Sequence, residues 1–305
     1  MPAGWVGKPW TLHQAAAVAR GEWLFFVDAD AVCAPQALGA LVGYAHAQGL
    51  DALTLLPLQE VDTPWERAVQ PAVFTLLLCG LDPAGLAPPR DDRHTVANGQ
   101  ALLIRRGAYE AVGGHAAVHG AMVEDFALAR RLREGGRRLG WVDGRGLVRV
   151  RMYRSLAELW EGWTKNLLLP GLLSRVERQA LVLLTVLVGP LPYLLVLLAA
   201  ARLVVGPQSP LAWLALTLAV LAVGLLLRLQ WGLRPFHTGG VTALLLHPLG
   251  AAIVPAIAVA GLWRQLRRAP TTWRGRRYHA AQLRLGPAEE SPAPSTLPTP
   301  WEGTA

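Results

Sequence analysis

The chain has 305 residues, of which 52% are hydrophobic and only 16% are charged, and its mean hydropathy is +0.31. Because soluble domains carry about a quarter charged residues, this composition excludes an ordinary soluble or disordered protein and indicates membrane segments. The net charge of +8 is unevenly distributed: residues 1–178 carry +1 (19 Lys and Arg, 18 Asp and Glu), and residues 179–305 carry +7 (10 Lys and Arg, 3 Asp and Glu). This distribution indicates basic flanks of a membrane region rather than a nucleic-acid-binding surface.

The first part of the chain has the pattern of an α/β domain. Residues 23–27 are an apolar run of strand-forming types, residues 35–48 have a helical pattern, and residues 52–57 form a further apolar run. This alternation of strands and helices predicts a parallel sheet that is covered on both faces.

Two carboxylates, Asp28 and Asp30, follow the first predicted strand. Folds with an open α/β sheet bind ligands at the carboxyl ends of their strands, and a period of two turns both side chains to one side. Their oxygens suit Mg²⁺ or Mn²⁺, which commonly bridge a protein to a diphosphate. For the isolated motif, the simpler interpretation is a polar turn in which one aspartate caps the next helix.

A second acidic pair, Glu124 and Asp125, stands in the first turn of a predicted helix that ends at Gly135. In this position Asp125 is placed to act as a general base that takes a proton from a hydroxyl group. The helix dipole by itself also favours acidic residues there, so the pattern leaves both interpretations open.

The segment 155–166 precedes the apolar region and includes Trp163, Lys165 and Asn166. Aromatic residues at this point are typical of anchors at the membrane interface, and a contact with substrate is an equal alternative. Lys165 and Lys8 are the only two lysines, against 27 arginines, which hints at a point-charge contact for each. Lys8 could meet a phosphate or lie on a plain surface.

Three apolar stretches follow, over residues 180–201, 211–227 and 241–263. The first two approach the about 20 residues that a helix needs to cross a bilayer, and we predict two membrane helices. The third contains Pro248 and Pro255 and has basic residues on both sides, so a re-entrant or interfacial hairpin is slightly favoured over a straight span. The Pro-rich residues 286–305 are predicted to be disordered.

Six motifs stand in order along the chain: Gly4-Trp-Val-Gly-Lys8-Pro-Trp10, Phe25-Phe-Val-Asp-Ala-Asp30, Ala97-Asn-Gly-Gln-Ala-Leu-Leu-Ile104, Val112-Gly-Gly-His115, Val123-Glu-Asp125 and Glu161-Gly-Trp-Thr-Lys-Asn166. In this order they resemble membrane-bound family 2 glycosyltransferases, most closely the branch associated with hopanoid and carotenoid biosynthesis. The likeness spans about residues 4–279, and six ordered matches are far more specific than any one of them.

The resemblance implies a Rossmann-like α/β domain of the GT-A type, inverting chemistry and a divalent cation, Mg²⁺ or Mn²⁺. It assigns the catalytic base to Asp125 and the metal to Asp30 and Asp28. The resemblance implies that the nucleotide-sugar is bound by these two aspartates together with Lys8, Asn98, Gly99 and Gln100. It implies that the acceptor or the diphosphate is contacted by Glu124, His115, Trp163, Lys165 and Asn166.

The likeness also suggests the substrate and the location. The Gln-x-x-Arg-Trp motif of processive relatives is absent, which favours transfer of one sugar to a hydroxyl or carboxyl group of a membrane lipid such as a carotenoid, a hopanoid or another polyprenoid. The expected partners are a nucleotide-sugar donor, a lipid acceptor and the bilayer, with no nucleic acid. We expect a multi-pass protein of the cell's inner membrane with its catalytic domain in the cytoplasm.

These inferences divide the chain into a partial glycosyltransferase domain (1–166), an interfacial linker (167–179), a membrane region of two to three helices (180–268), a basic cytosolic segment (269–285) and the tail (286–305). The domain is expected to be truncated at its N-terminus, because in the family a strand with a Pro-Ala-x-Asn-Glu turn precedes the first motif. The alternative function is accordingly a catalytically inactive membrane protein that acts as an interaction partner.

Overall fold

The computed structural model of the protein describes residues 1–79, 97–168, 173–267, 269–273 and 276–278. The strands are β1 (Trp23–Val27), β2 (Ala31–Cys33), β3 (Ala52–Leu56), β4 (Leu58–Gln59), β5 (Ala101–Arg105), β6 (Leu139–Asp143), β7 (Val148–Val150), β8 (Thr271–Trp273) and β9 (Arg276–Tyr278). The α-helices are α1 (Gly7–Val18), α2 (Ala37–Ala47), α3 (Pro64–Cys79), α4 (Arg106–Ala111), α5 (Glu124–Glu134), α6 (Leu156–Asn166), α7 (Arg175–Val188), α8 (Pro190–Val205), α9 (Pro210–Leu233), α10 (Gly240–Leu245) and α11 (His247–Leu266).

The main sheet consists of β1, β5, β3 and β6, side by side in that order. β5 runs antiparallel to both β1 and β3, whereas β3 and β6 are parallel. The residues of β3 and β5 are almost all buried, as expected of central strands covered on both faces. The α/β class is confirmed, but the predicted parallel sheet is wrong at β5, because an apolar run indicates a strand without indicating its direction.

The elements next to the two acidic motifs agree with the sequence analysis. The predicted strand 23–27 is β1, the predicted helix 35–48 contains α2, and the predicted strand 52–57 contains β3. Helix α5 begins with the second acidic pair and ends before two glycines. The spacing of apolar residues, together with the glycines that follow α5, therefore locates the end of β1 and the start of α5, where the acidic motifs lie.

Helix α3 joins the α/β part to the apolar helices, and it was not among the elements predicted from the sequence. Its buried residues Val69 and Val73 pack in one core with Leu159 of α6 and Ile257 of α11. The residues Thr63-Pro-Trp-Glu66 at its start are a sequence pattern typical of a helix N-terminus. The Glu66 carboxylate accepts a hydrogen bond from Thr63 N at 2.6 Å, and Glu66 N donates to Thr63 Oγ1 at 3.3 Å. This is a capping box with proline at the first helical position.

Three helical segments are long and apolar enough to cross a membrane, by length and composition: Arg175–Val205, which combines α7 and α8, Pro210–Phe236, which contains α9, and His247–Leu266, which is α11. The first two overlap the two predicted membrane helices. Their large apolar side chains are widely exposed, Val204, Leu211 and Leu225 among them, as expected of a surface that faces lipid. These segments indicate membrane association.

The third apolar stretch differs from the prediction. The structure has a short α10 followed by one continuous α11 of 20 residues, with Pro255 inside it, so the favoured hairpin is wrong. A proline inside a helix removes one hydrogen bond without reversing the chain, and burial of α11 against α3 and α7 compensates for that loss. The predicted tail 286–305 and much of the predicted basic segment lie outside the described residues. Within that segment, β8 and β9 pair as antiparallel strands.

Close packing of α11 against α3 yields a stability prediction. A Cβ on Gly250 would overlap the carbonyl oxygen of Ala68 in α3, whereas a Cβ on Gly224, in α9, would meet nothing within 4 Å. Gly250→Ala should therefore cost about 1–3 kcal/mol and lower the midpoint of thermal unfolding in detergent. The matched control Gly224→Ala should leave the midpoint unchanged or slightly higher. Equal midpoints for the two variants would contradict the packing described.

Candidate active site

Lys8, in the first turn of α1, contacts carboxylates from two other parts of the chain. Its Nζ lies 2.7 Å from Asp28 Oδ1, just after β1, and 2.7 Å from Glu124 Oε1, at the start of α5. The Glu124 side chain is 6% exposed and that of Lys8 is 39% exposed. Burial opposes the charge on Lys8, but Glu124, Asp28 and Asp125 outweigh it and raise the pKa of Lys8. Lys8 therefore remains a cation that joins three segments.

Asp125 accepts two backbone hydrogen bonds, from Gly99 N to Oδ2 at 2.7 Å and from Phe126 N to Oδ1 at 2.9 Å. Burial, assisted by the negative charge of Glu124, raises the pKa of Asp125 to about 7, although Lys8 and the two backbone donors act in the opposite direction. Burial would also raise the pKa of Glu124, but Lys8 brings it below its ordinary value. The two adjacent carboxyl groups thus differ in pKa: that of Glu124 is lowered, whereas that of Asp125 is raised to about 7.

Gly99 permits this arrangement because it has no side chain. A Cβ at Gly99 would lie 2.6 Å from Asp125 Oδ2 and 2.9 Å from Asp125 Cβ. Real Cβ atoms essentially never approach other atoms so closely, so any other residue at position 99 would displace the carboxylate.

The loop around Gly99 is fixed to the sheet by hydrogen bonds. Asn98 N donates to Thr54 Oγ1 in β3 at 2.8 Å, and Asn98 Nδ2 donates to Leu55 O at 3.0 Å. Gln100 Oε1 accepts from Gln59 Nε2 in β4 at 2.9 Å. The backbone of Gln100 also reaches the first acidic motif, since Asp28 N donates to its carbonyl at 3.2 Å. The loop therefore connects the two acidic motifs.

The carboxylates that follow β1 have the donor chemistry of a site for a hard divalent cation. Asp28 and the half-buried Asp30 offer oxygen ligands, and the backbone of Asp30 is positioned by a 3.3 Å hydrogen bond from Arg151 N to its carbonyl. In the part of the chain that the structure describes, no group of three or more His, Cys, Asp or Glu side chains could hold a metal ion alone. Mg²⁺ is usually bound through one or two carboxylates together with substrate phosphates, so these residues fit a cation that arrives with a diphosphate.

Comparison with known proteins identifies this part of the chain. Residues 1–109 match the family described as "Glycosyl transferase family 2". This match supports a family 2 glycosyltransferase domain in residues 1–109, which include Lys8, Asp28 and Gly99. Among curated proteins it is similar to the 4,4'-diaponeurosporenoate glycosyltransferases of Staphylococcus aureus strains MRSA252 and USA300, each 28% identical over 167 residues. These residues are 53% of this chain and 44% of each relative, so the chain spans less than half the length of the curated relatives it matches.

His115, which follows the matched residues in the chain, is buried in the core. It is 2% exposed, its backbone N donates to Tyr109 Oη at 2.9 Å, and its ring packs edge-on against Phe26. Burial lowers its pKa to about 4, although Glu124 acts in the opposite direction. His115 is therefore a neutral core residue at neutral pH, close enough to Glu124 to sense its charge.

Helix α6 brings a second lysine to the same site. Burial lowers the pKa of Lys165 to about 8, while the nearby Glu124 and Asp125 act in the opposite direction. Trp163, in contrast, is 4% exposed and points into the core, where its Nε1 donates to Gln70 Oε1 of α3 at 2.5 Å. Asn166 is the half-buried last residue of α6. The structure thus brings Lys165 to the acidic pair and uses Trp163 to attach α6 to α3.

Several residues around the site were not found from the sequence. Thr54 and Gln59 fix the loop at Gly99, and both are almost fully buried. Glu66, fully buried in α3, accepts from Arg151 Nε at 2.9 Å and from Nη2 at 3.1 Å, which braces the segment next to Asp30. Only Thr54 could have been recognised from the sequence, as a polar residue in an otherwise apolar strand. Because buried polar groups require hydrogen-bond partners, such a residue indicates a contact with another segment.

The charge of Glu124 is expected to determine the protonation of Asp125. In an infrared pH titration of the protonated carboxyl band, assigned by its loss in Asp125→Asn, Asp125 should titrate near pH 7. Glu124→Gln should lower this pKa because the adjacent negative charge is removed. Glu134→Gln, at the exposed end of the same helix, is the matched control and should leave it unchanged. A midpoint in Glu124→Gln equal to that of the unmodified protein would contradict this account.

Proposed function

We propose that the protein transfers one sugar, with inversion, from a nucleotide-sugar to a hydroxyl or carboxyl group of a membrane lipid. The observation that carries the proposal is the half-buried Asp125 carboxylate, which is held by Gly99 N–H. Gly99 and the ion pair of Lys8 with Asp28 lie within the residues that match family 2 glycosyltransferases. The attachment of this domain to apolar helices supports a lipid as the acceptor.

Lys8, Asp28 and Asp30 form the donor side in this proposal. Asp28 and Asp30 would hold Mg²⁺ or Mn²⁺, and when bound this cation supplies positive charge that offsets the charge developing on the departing diphosphate. Lys8 contributes a second positive charge, and its 39% exposed side chain is accessible to a ligand. The ammonium group that pairs with Asp28 and Glu124 is a compact point charge of the kind that commonly binds phosphates.

Asp125 is the general base of the proposed reaction. A hydroxyl group is a poor nucleophile until a carboxylate takes its proton in the transition state, and the best base has a pKa near the working pH. The raised pKa of Asp125, about 7, satisfies this condition. A carboxylate acceptor would need no base, so dependence of the rate on Asp125 distinguishes the two acceptor types.

A membrane lipid is the acceptor that best explains the helical part. Helix α3 packs against both α6 of the glycosyltransferase domain and α11, so the site lies beside the apolar helices. Staphylococcal relatives named for a diaponeurosporenoate support a carotenoid or another polyprenoid. Arg264 and Arg267, at the end of α11, support a cytoplasmic position for that end in the inner membrane.

Asp125→Asn should abolish transfer to a hydroxyl group of the acceptor. With radiolabelled UDP- and GDP-sugars, Mn²⁺ and a lipid extract, we expect at least about a 100-fold loss of labelled lipid, because general-base catalysis contributes that much or more. Asp51→Asn is the matched control: Asp51 lies at the far end of β3, where it accepts from Arg138 N at 2.9 Å, and its loss should leave the rate within twofold. Equal rates for Asp125→Asn and the unmodified protein would refute the role of Asp125.

A further inference from the structure

Helix α11 contacts both α3 and α6. Near the start of α11, a Cβ on Gly250 would overlap the carbonyl oxygen of Ala68 in α3, so the two backbones are in close contact. Near its end, a Cβ on Gly261 would lie 3.0 Å from the carbonyl oxygen of Thr164 in α6. The two glycines are 11 residues apart, which corresponds to about 16 Å along a helix. Helix α11 therefore runs across α3 and α6 instead of touching them at one end only.

Helices α3 and α6 are themselves attached to the α/β part where β7 ends. Tyr153, three residues after β7, packs edge-on against Trp163 near the end of α6, with the ring centroids 5.9 Å apart. Arg151 Nε donates to Glu66 in the first turn of α3 at 2.9 Å, and Trp163 Nε1 donates to Gln70 Oε1 at 2.5 Å. The two helices thus lie against the α/β part, and we call them the helical base. Helix α11 covers this base.

The residues of α11 form a buried side and an exposed apolar side along the whole helix. The side with Gly250 and Gly261 is buried. The exposed side consists of apolar residues at helical spacing: Leu249, Ala252, Ala256, Val259 and Trp263. A contiguous exposed apolar patch marks a contact with a partner or a membrane. Because the neighbouring α8 and α9 also expose large apolar side chains, lipid is the occupant that fits this whole surface.

Helices α8 and α9, in contrast, extend away from the helical base. Helix α9 is attached to the base near its end, where Gln230 Nε2 donates to Thr75 Oγ1 of α3 at 2.7 Å. Its 24 residues correspond to about 36 Å, which exceeds the about 30 Å of a hydrocarbon core. Leu214 and Leu221, further from the base, are exposed, and α8 packs alongside. This pair of helices therefore has the length and the surface to reach the far side of a bilayer.

The basic residues around α11 favour one side of the bilayer. Arg228 and Arg234 precede α11, Arg264 and Arg267 lie at its end, and residues 179–288 contain no Asp or Glu. Basic residues that flank membrane segments are concentrated on one side, the cytoplasmic side. A crossing by α11 would separate the two groups of arginines. With α11 in the plane of the membrane, both groups stay on the side of the α/β part.

We propose that α8 and α9 cross the bilayer and that α11 lies in the plane of the membrane. In this arrangement α11 occupies the leaflet on the side of the α/β part, and its exposed apolar side contacts lipid chains. The proposal concerns contact with the bilayer and does not depend on sugar transfer. It therefore fails or holds separately from the proposed function.

The depth of spin labels in the bilayer tests this arrangement. Labels are attached to single cysteines in the full chain, in nanodiscs, after Cys33 and Cys79 have been replaced by serine. Depth is measured by electron paramagnetic resonance, from collisions of the label with oxygen and with a water-soluble nickel chelate.

Two pairs of positions, each seven residues apart, are compared. Leu249→Cys and Ala256→Cys lie on the exposed side of α11, and Leu214→Cys and Leu221→Cys are the matched pair on α9. The depths of the α9 pair should differ by about 10 Å, because seven residues of a crossing helix rise by that distance. The depths of the α11 pair should differ by less than about 4 Å, as expected of a helix parallel to the membrane. A difference on α11 as large as that on α9 would overturn the proposal.

The side of the membrane on which α11 ends gives a second test with other positions. Single cysteines in sealed vesicles are labelled with a maleimide that does not cross membranes. Arg20→Cys, in the α/β part, and Arg267→Cys, after α11, should react from the same side, whereas Gln208→Cys, in the exposed turn between α8 and α9, should react from the opposite side. Reaction of Arg267→Cys from the side of Gln208→Cys would show that α11 crosses. The two tests share no position, so misfolding of one variant leaves the other test decisive.

Discussion

The site depends on one ammonium group that neutralises two carboxylates. Lys8 pairs with Asp28 after β1 and with Glu124 at the start of α5, so it connects three segments that are far apart in the chain. Removing one partner of a fully buried pair costs about 3–5 kcal/mol. The loss here is expected to be smaller, because the Lys8 side chain is 39% exposed and water screens its charge.

The pair with Lys8 has a consequence for the neighbouring carboxyl group. Because Lys8 keeps Glu124 ionised, Asp125 lies next to a fixed negative charge, and together with burial this raises its pKa to about 7. Gly99 then holds Asp125 through a backbone N–H, and the hydrogen bond between Gln100 and Gln59 connects that loop to β4. The position of the Asp125 carboxylate therefore depends on the loop that joins the two acidic motifs.

The sequence predicted the local elements and the identity of the acidic motifs, but not how they assemble. Local periodicity located β1, α2, β3 and α5. It did not reveal that Lys8 pairs with Glu124, because those residues are 116 positions apart and only the resemblance to a family grouped them. The direction of β5 and the continuity of α11 through Pro255 depend on neighbouring elements, so they could not be predicted from local patterns. Helix α3 was predictable from its capping box.

The central claim is that Lys8 and the two carboxylates that follow β1, Asp28 and Asp30, form the binding site for a metal-bound diphosphate. Calorimetry of the full chain in detergent with UDP and GDP, in the presence of Mn²⁺, tests it most directly. At least one of the two diphosphates should bind. Chelation of Mn²⁺ and Lys8→Met should each weaken binding at least tenfold. The control Arg20→Met removes an exposed charge just after the end of α1 and should leave binding unchanged. Binding of equal strength in Lys8→Met and the unmodified protein, or no binding of either diphosphate, would contradict the account.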